Sequence, residues 1–154
     1  GMADYIKAIE LDPNNAEAYN NREIAYADQQ KYDQATADFS KAIDLDPNDA
    51  TAYNDSGIAY ARQKKYTRAI ADFSKAIDLD PNNAIAYNNR GFVYANQQKY
   101  TQAIADYNKA LSLLDPNDPF VATVKQNLQD AKNNKNTKYW KLGKSWKGLL
   151  NVLH

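Results

Sequence analysis

The sequence predicts an all-α solenoid, a row of antiparallel helix pairs stacked side by side. Pro13, Pro47 and Pro81 are spaced by 34 residues and Pro116 follows after 35, each in a similar phrase, LDPNNA, LDPNDA, LDPNNA and LDPNDP. Nine of the 12 tyrosines fall on three columns of this repeat, Tyr19/Tyr53/Tyr87, Tyr26/Tyr60/Tyr94 and Tyr32/Tyr66/Tyr100. Small residues hold two more, Ala35/Ala69/Ala103 and Ala42/Ala76/Ala110, with the aromatic column Phe39/Phe73/Tyr107 between them. A fixed period of this kind marks units that each bury their apolar face only against a neighbour.

The elements follow in order. Residues 1–15 match the second half of a unit and predict one helix, about Met2–Leu11, so the array starts in mid-repeat. Its Met2, Tyr5, Ile6 and Ile9 lack the first helix that would cover them. Upstream repeats or another chain are expected there, and end-to-end stacking would make a homodimer. Residues 16–49, 50–83 and 84–118 are three full units, the last with one extra residue near Leu114. In the first, a helix over about Ala16–Gln29 places Tyr19 and Tyr26 on one face, seven residues apart. A second, about Asp33–Leu45, puts Ala35, Phe39, Ala42 and Ile43 on one stripe. The Leu-Asp-Pro-Asn phrase stops it, because proline cannot continue a helix, and the Asn or Asp that follows caps the next one. Residues 119–132 predict a capping helix with Phe120, Val124, Leu128 and Ala131 facing inward. Residues 133–154 read as a linker and a basic amphipathic helix.

Composition excludes several classes. The 154 residues contain no cysteine, so disulfides and thiolate chemistry are absent. The only histidine is His154, and no Gly-rich phosphate loop, His-Glu metal motif or nucleophile elbow appears. The acids recur with the repeat, a structural pattern rather than a catalytic pair. No enzyme, cofactor or metal is expected. No apolar run approaches the ~20 residues of a membrane span, and no signal peptide is visible. The expectation is a soluble, cytoplasmic protein, although Gly1-Met2 looks like a cloning remnant and leaves room for a removed targeting segment. Lys plus Arg and Asp plus Glu total 19 each, but every acid lies at or before Asp130 and six lysines lie beyond it. Residues 1–130 therefore carry −6 and the tail +6.

The columns resemble the tetratricopeptide repeat, whose pattern is aromatic-x2-Leu-Gly-x2-Tyr, Ala-x3-Phe, Ala, then Pro. Here it stands as Tyr53-x2-Ser56-Gly57-x2-Tyr60, Ala69-x3-Phe73, Ala76 and Pro81, and again in the other units, covering residues 2–118. Two departures matter. The usual Leu is Arg22, Ser56 and Arg90, and the usual Gly is Glu23 in the first unit. A partly buried Arg needs an acid, and the second helices offer Asp4, Asp38, Asp72 and Asp106. Glu23, where helices should press close, predicts a looser first unit or one that met an upstream repeat.

The resemblance implies a right-handed superhelix, the tetratricopeptide superhelix, whose concave face is lined by first helices and binds an extended peptide or partner helix. The function it implies is a scaffold or adaptor for protein or peptide partners. The groove columns would be Asn20/Asn54/Asn88 and Ile24/Ile58/Phe92, with Asn21, Asp55 and Asn89 next door and Arg62 and Ile85 at the border. An Asn amide offers a donor and an acceptor, so a ladder of three could hold a peptide backbone. The alternative is that the column is polar filler on an exposed face. Chaperone-binding members use a clamp of Lys, Asn, Asn, Lys and Arg for a C-terminal carboxylate. The matching residues here are Asn20, Ile24, Asp55, Ile85 and Asn89, so the clamp is absent.

Tyr139, Leu142, Trp146, Leu149, Leu150 and Leu153 form one apolar stripe at helical spacing, with Lys138, Lys141, Lys144 and Lys147 around it. Gly143 and Gly148 weaken that helix by ~1 kcal/mol each, so contact must help it form. Four docking surfaces stay open: this chain's own array, a neighbouring copy's array or groove, an anionic membrane surface, and nucleic acid. No nucleic acid is expected, since four lysines without arginine are a weak footprint. Self-association or membrane-surface binding through this segment is the alternative function.

Overall fold

The computed structural model describes residues 1–134. They form eight helices: α1 (Met2–Leu11), α2 (Ala16–Asp28), α3 (Tyr32–Leu45), α4 (Ala50–Arg62), α5 (Tyr66–Leu79), α6 (Ala84–Asn96), α7 (Tyr100–Leu113) and α8 (Phe120–Lys132). Side-chain caps start the inner helices. Asn15, Asp49 and Asn83 accept from the backbone N–H of Ala18, Ala52 and Ala86 at 3.0, 3.2 and 3.1 Å. Each such cap is worth ~1 kcal/mol. The Asp of the proline phrase has its own task. Asp12, Asp46, Asp80 and Asp115 accept the backbone N–H of the residue two positions on, which folds the chain around the proline.

Between the helices of each pair the chain turns without glycine. Gln30, Lys64 and Gln98 take left-handed φ of 58°, 59° and 61°. The next N–H closes back on Tyr26, Tyr60 and Tyr94 carbonyls at 2.8, 2.9 and 2.9 Å, the bonding of a Schellman end.

The pairs α2/α3, α4/α5 and α6/α7 pack most extensively. Ala35/Phe39, Ala69/Phe73 and Ala103/Tyr107 are buried in them. A Cβ on Gly57 would lie 2.6 Å from the Phe73 ring, and one on Gly91 would lie 2.9 Å from Tyr107. In the first pair, α2 and α3 accommodate Glu23 at this position and bury it completely. The odd column residues are tied across the pair. Arg22 donates to Asp38 at 2.8 and 2.7 Å, and Arg90 to Asp106 at 2.9 and 2.8 Å. The Ser56 hydroxyl donates to Asp72 at 2.6 Å. Each Arg also lies over two tyrosine rings, Tyr19 and Tyr26 or Tyr87 and Tyr94, at 5.6–5.9 Å.

Successive pairs stack asymmetrically. Helices α2, α4, α6 and α8 touch one another in turn, whereas among the described residues α1, α3, α5 and α7 make no such contacts. The layer whose members approach more closely lies on the inside of the bend. The concave side therefore belongs to α2, α4, α6 and α8. At one end α8 packs on α7 and α6 and shares a core cluster with Tyr107 through Phe120, Val124 and Ala131. At the other, α1 has no buried residue and leaves Ile6 and Leu11 exposed. No described helix is long and apolar enough to cross a membrane. The stripe Tyr139, Leu142, Trp146, Leu149, Leu150 and Leu153 lies outside the described residues.

Candidate functional site

The concave face is located by elimination around α4. Ser56, Gly57 and Tyr60 face α5, through the bond to Asp72, the Phe73 ring and Arg68 stacked 4.9 Å over Tyr60. With 3.6 residues per turn, the opposite stripe is Asp55, Ile58 and Arg62, with Asn54 at its edge. One repeat away, that stripe is Asn20, Asn21 and Ile24 on α2, and Asn88, Asn89 and Phe92 on α6. These side chains therefore line one side of the inner layer.

Their surroundings correct one expectation. The asparagine column was read as a ladder for a peptide backbone or else as polar filler on an exposed face, but Asn54 is 3% and Asn88 0% exposed, and Asp55, Asn89, Ile58 and Phe92 are buried too. Adjacent inner helices come close enough for amides one repeat apart to meet. Asn89 Nδ2 donates to Asn54 Oδ1 at 3.3 Å, linking α6 to α4, and Asn127 Nδ2 donates to Asn88 Oδ1 at 3.0 Å, linking α8 to α6. Each of these four amides spends at least one hydrogen bond inside the array. What remains is specific: Asn20 Oδ1, Asn88 Nδ2 and Asn89 Oδ1 are buried atoms with no hydrogen-bond partner among the described residues. A buried polar atom left unmet costs about 1–3 kcal/mol, so a donor and an acceptor arriving at this face would be stabilised.

Beside the amides, Ile24, Ile58 and Phe92 belong to one core cluster and make a continuous apolar strip along three repeats. Ile85 is half-buried at the α6 end, packed with Tyr87 and Ala84. Arg62 is half-buried at the α4 border, with Nη1 3.5 Å from the Tyr32 hydroxyl. The field on this side is acidic. Burial, and then the charges of Asp55, Asp38 and Asp28, push the Glu23 carboxyl well above its ordinary pKa. Among the described residues no three His, Cys, Asp or Glu side chains are grouped to hold a metal ion.

Sequence reasoning missed two residues here. Asn127 continues the column Ile24/Ile58/Phe92 at the next spacing of 35, a signal that was legible. Glu23 was read as the mark of a looser first unit or of one that met an upstream repeat, and nothing in its neighbours along the chain forecasts complete burial.

The family described as "TPR repeat" matches residues 24–64 and 59–98, and "Tetratricopeptide repeat" matches residues 84–117 and 5–37. The chain belongs to the tetratricopeptide repeat family. Tetratricopeptide repeats are in general a non-enzymatic, protein-interaction fold. Among solved structures, MamA is similar at 28% identity and a TM-score of 0.76, with 86% of this chain and 70% of that one covered. The first tetratricopeptide domain of Spaghetti (RPAP3), bound to the HSP90 peptide SRMEEVD, is 29% identical with a TM-score of 0.70, covering 77% and 90%. The TPR2B domain of yeast Sti1, in a pHsp70 complex, shares the fold at 24% identity and a TM-score of 0.74, covering 78% and 98%. No curated protein matches the chain.

Proposed function

We propose that this protein is a scaffold or adaptor that holds an extended peptide or partner helix against the concave side of repeats 16–49, 50–83 and 84–118. One observation carries the reading: the stripe turned away from the outer helices pairs unmet amide atoms, Asn88 Nδ2 and Asn89 Oδ1, with the apolar strip Ile24/Ile58/Phe92. Amides suit a peptide backbone and the strip suits side chains. Peptide-bound relatives such as the Spaghetti domain support the class of ligand. They do not support the same ligand. The positions of the carboxylate clamp hold Asn20, Ile24, Asp55, Ile85 and Asn89, and Asp55 would repel a C-terminal carboxylate. A neutral or basic segment fits better.

The test is to pan a random peptide library over the immobilised protein and measure recovered peptides by calorimetry. The N20A/I85A variant alters half-buried positions, so it should retain the helical spectrum while weakening binding by ~10-fold or more, the loss of about 1.4 kcal/mol. Peptides that bind both proteins equally would remove the groove from the account.

A further inference from the structure

The concave face of α4 and α6 presents a physical puzzle. The described elements packed on α4 are α2, α3, α5 and α6. Of these, α3 and α5 lie behind the stripe and α2 and α6 flank it. Flanking helices wall a groove without roofing it, yet Asp55, Ile58, Asn88, Asn89 and Phe92 are all 0% exposed.

Resting on the groove reading above, we propose that this face accepts a basic amphipathic helix and that its resident occupant is residues 138–153 of the same chain, folded back in cis. Five observations converge on that segment. Its apolar stripe Tyr139, Leu142, Trp146, Leu149, Leu150 and Leu153 matches the strip Ile24/Ile58/Phe92 in chemistry. Residues 135–154 carry five lysines and no acid, whereas residues 1–130 carry −6, with Asp55 on the stripe itself. The path is short. Five residues separate the segment from α8, whose Asn127 already leans over Asn88 at 3.0 Å, and five extended residues reach about 17 Å. The length fits as well. Sixteen helical residues span about 24 Å, close to the width of a row of inner helices spaced about 8–10 Å apart. Lysine ammoniums and the Trp146 indole N–H are donors of the kind that Asn20 Oδ1 and Asn89 Oδ1 lack. The consequence is self-masking: an incoming peptide must displace the chain's own C-terminal segment, which lowers its apparent affinity.

The full chain carries its own reporter, because both tryptophans, Trp140 and Trp146, lie in residues 135–154. The experiment compares the full chain with a synthetic peptide of residues 135–154 by tryptophan emission and acrylamide quenching, with molar mass from light scattering. The expected result is a monomer whose emission lies blue of the free peptide and whose quenching is several-fold weaker. The L149K/L150K variant, which leaves both tryptophans and the array untouched, should move emission and quenching to the free-peptide values. Asp55→Lys should move them the same way with the helical spectrum retained. Emission and quenching equal to the free peptide overturn the proposal. Blue-shifted emission that L149K/L150K leaves unchanged also overturns it, and a dimer that L149K/L150K dissociates overturns the cis arrangement. The broader reading fails separately: if L149K/L150K is unmasked by fluorescence yet retains no library peptide, the scaffold function is wrong while the self-docking stands.

Discussion

Glu23→Gln isolates the most unusual charge in the array. Glu23 is 0% exposed, and neither carboxylate oxygen has a hydrogen-bond partner among the described residues. Burial is the first cause of its raised pKa, and the charges of Asp55, Asp38 and Asp28 push it the same way. The folded protein therefore binds this proton more tightly than the unfolded chain does. Stability falls as pH rises from the unfolded value near 4.5 towards the folded one, at about 1.4 kcal/mol per pH unit. Between the unfolded value and pH 7 the loss from this group is at most about 3.4 kcal/mol. Glutamine keeps the shape and removes the charge, but its own amide stays buried and unmet, so the net gain at pH 7 should be about 1–2 kcal/mol. For a chain of this size that is a rise in Tm of about 2–8 °C. The assay is thermal unfolding by circular dichroism for both proteins at pH 7.0 and 4.5. The gain should be present at the higher pH and vanish or reverse at the lower. Other acids with raised pKa, such as Asp72 and Asp106, are common to both proteins and cancel in the difference. A Tm difference that is the same at both pH values would refute the argument, because a packing change does not titrate.

Three further outcomes are expected. Gly57→Ala places a methyl 2.6 Å from the Phe73 ring and should cost about 1–3 kcal/mol in urea unfolding. Arg90→Ala leaves Asp106 buried with nothing to offset its desolvation, and should cost about 3 kcal/mol; Ser56→Ala, which removes one hydroxyl from Asp72, should cost about half that. Gln98→Gly relieves a left-handed φ of 61° and should stabilise by about 0.5–1 kcal/mol in the same assay, against the usual sense of a Gly substitution.

Much of the fold was legible because it is written locally and then repeated. The proline phrase marks where α3, α5 and α7 must stop, and the Asn or Asp after it marks the cap of the next helix. The Arg22 and Arg90 pairing was legible as well, since an arginine on an inner helix and an acid sixteen residues later can meet only if the two helices pair. The Schellman turns were not, because Gln30, Lys64 and Gln98 are not residues that advertise a left-handed φ. The concave residues were partly legible: the repeat shows which columns share a stripe, and it cannot show how far that stripe is from its neighbours.

That division has one physical cause. Helix starts, stops and columns depend on residues within one or two turns, or on a period copied along the chain, so the sequence by itself determined the all-α helix pairs, their order and their ties. Contacts between pairs depend on how closely those pairs approach, a distance set by packing summed over all of them. Only the tertiary structure decided that Asn89 would reach Asn54, that Asn127 would reach Asn88, and that Glu23 would be carried whole into the interior.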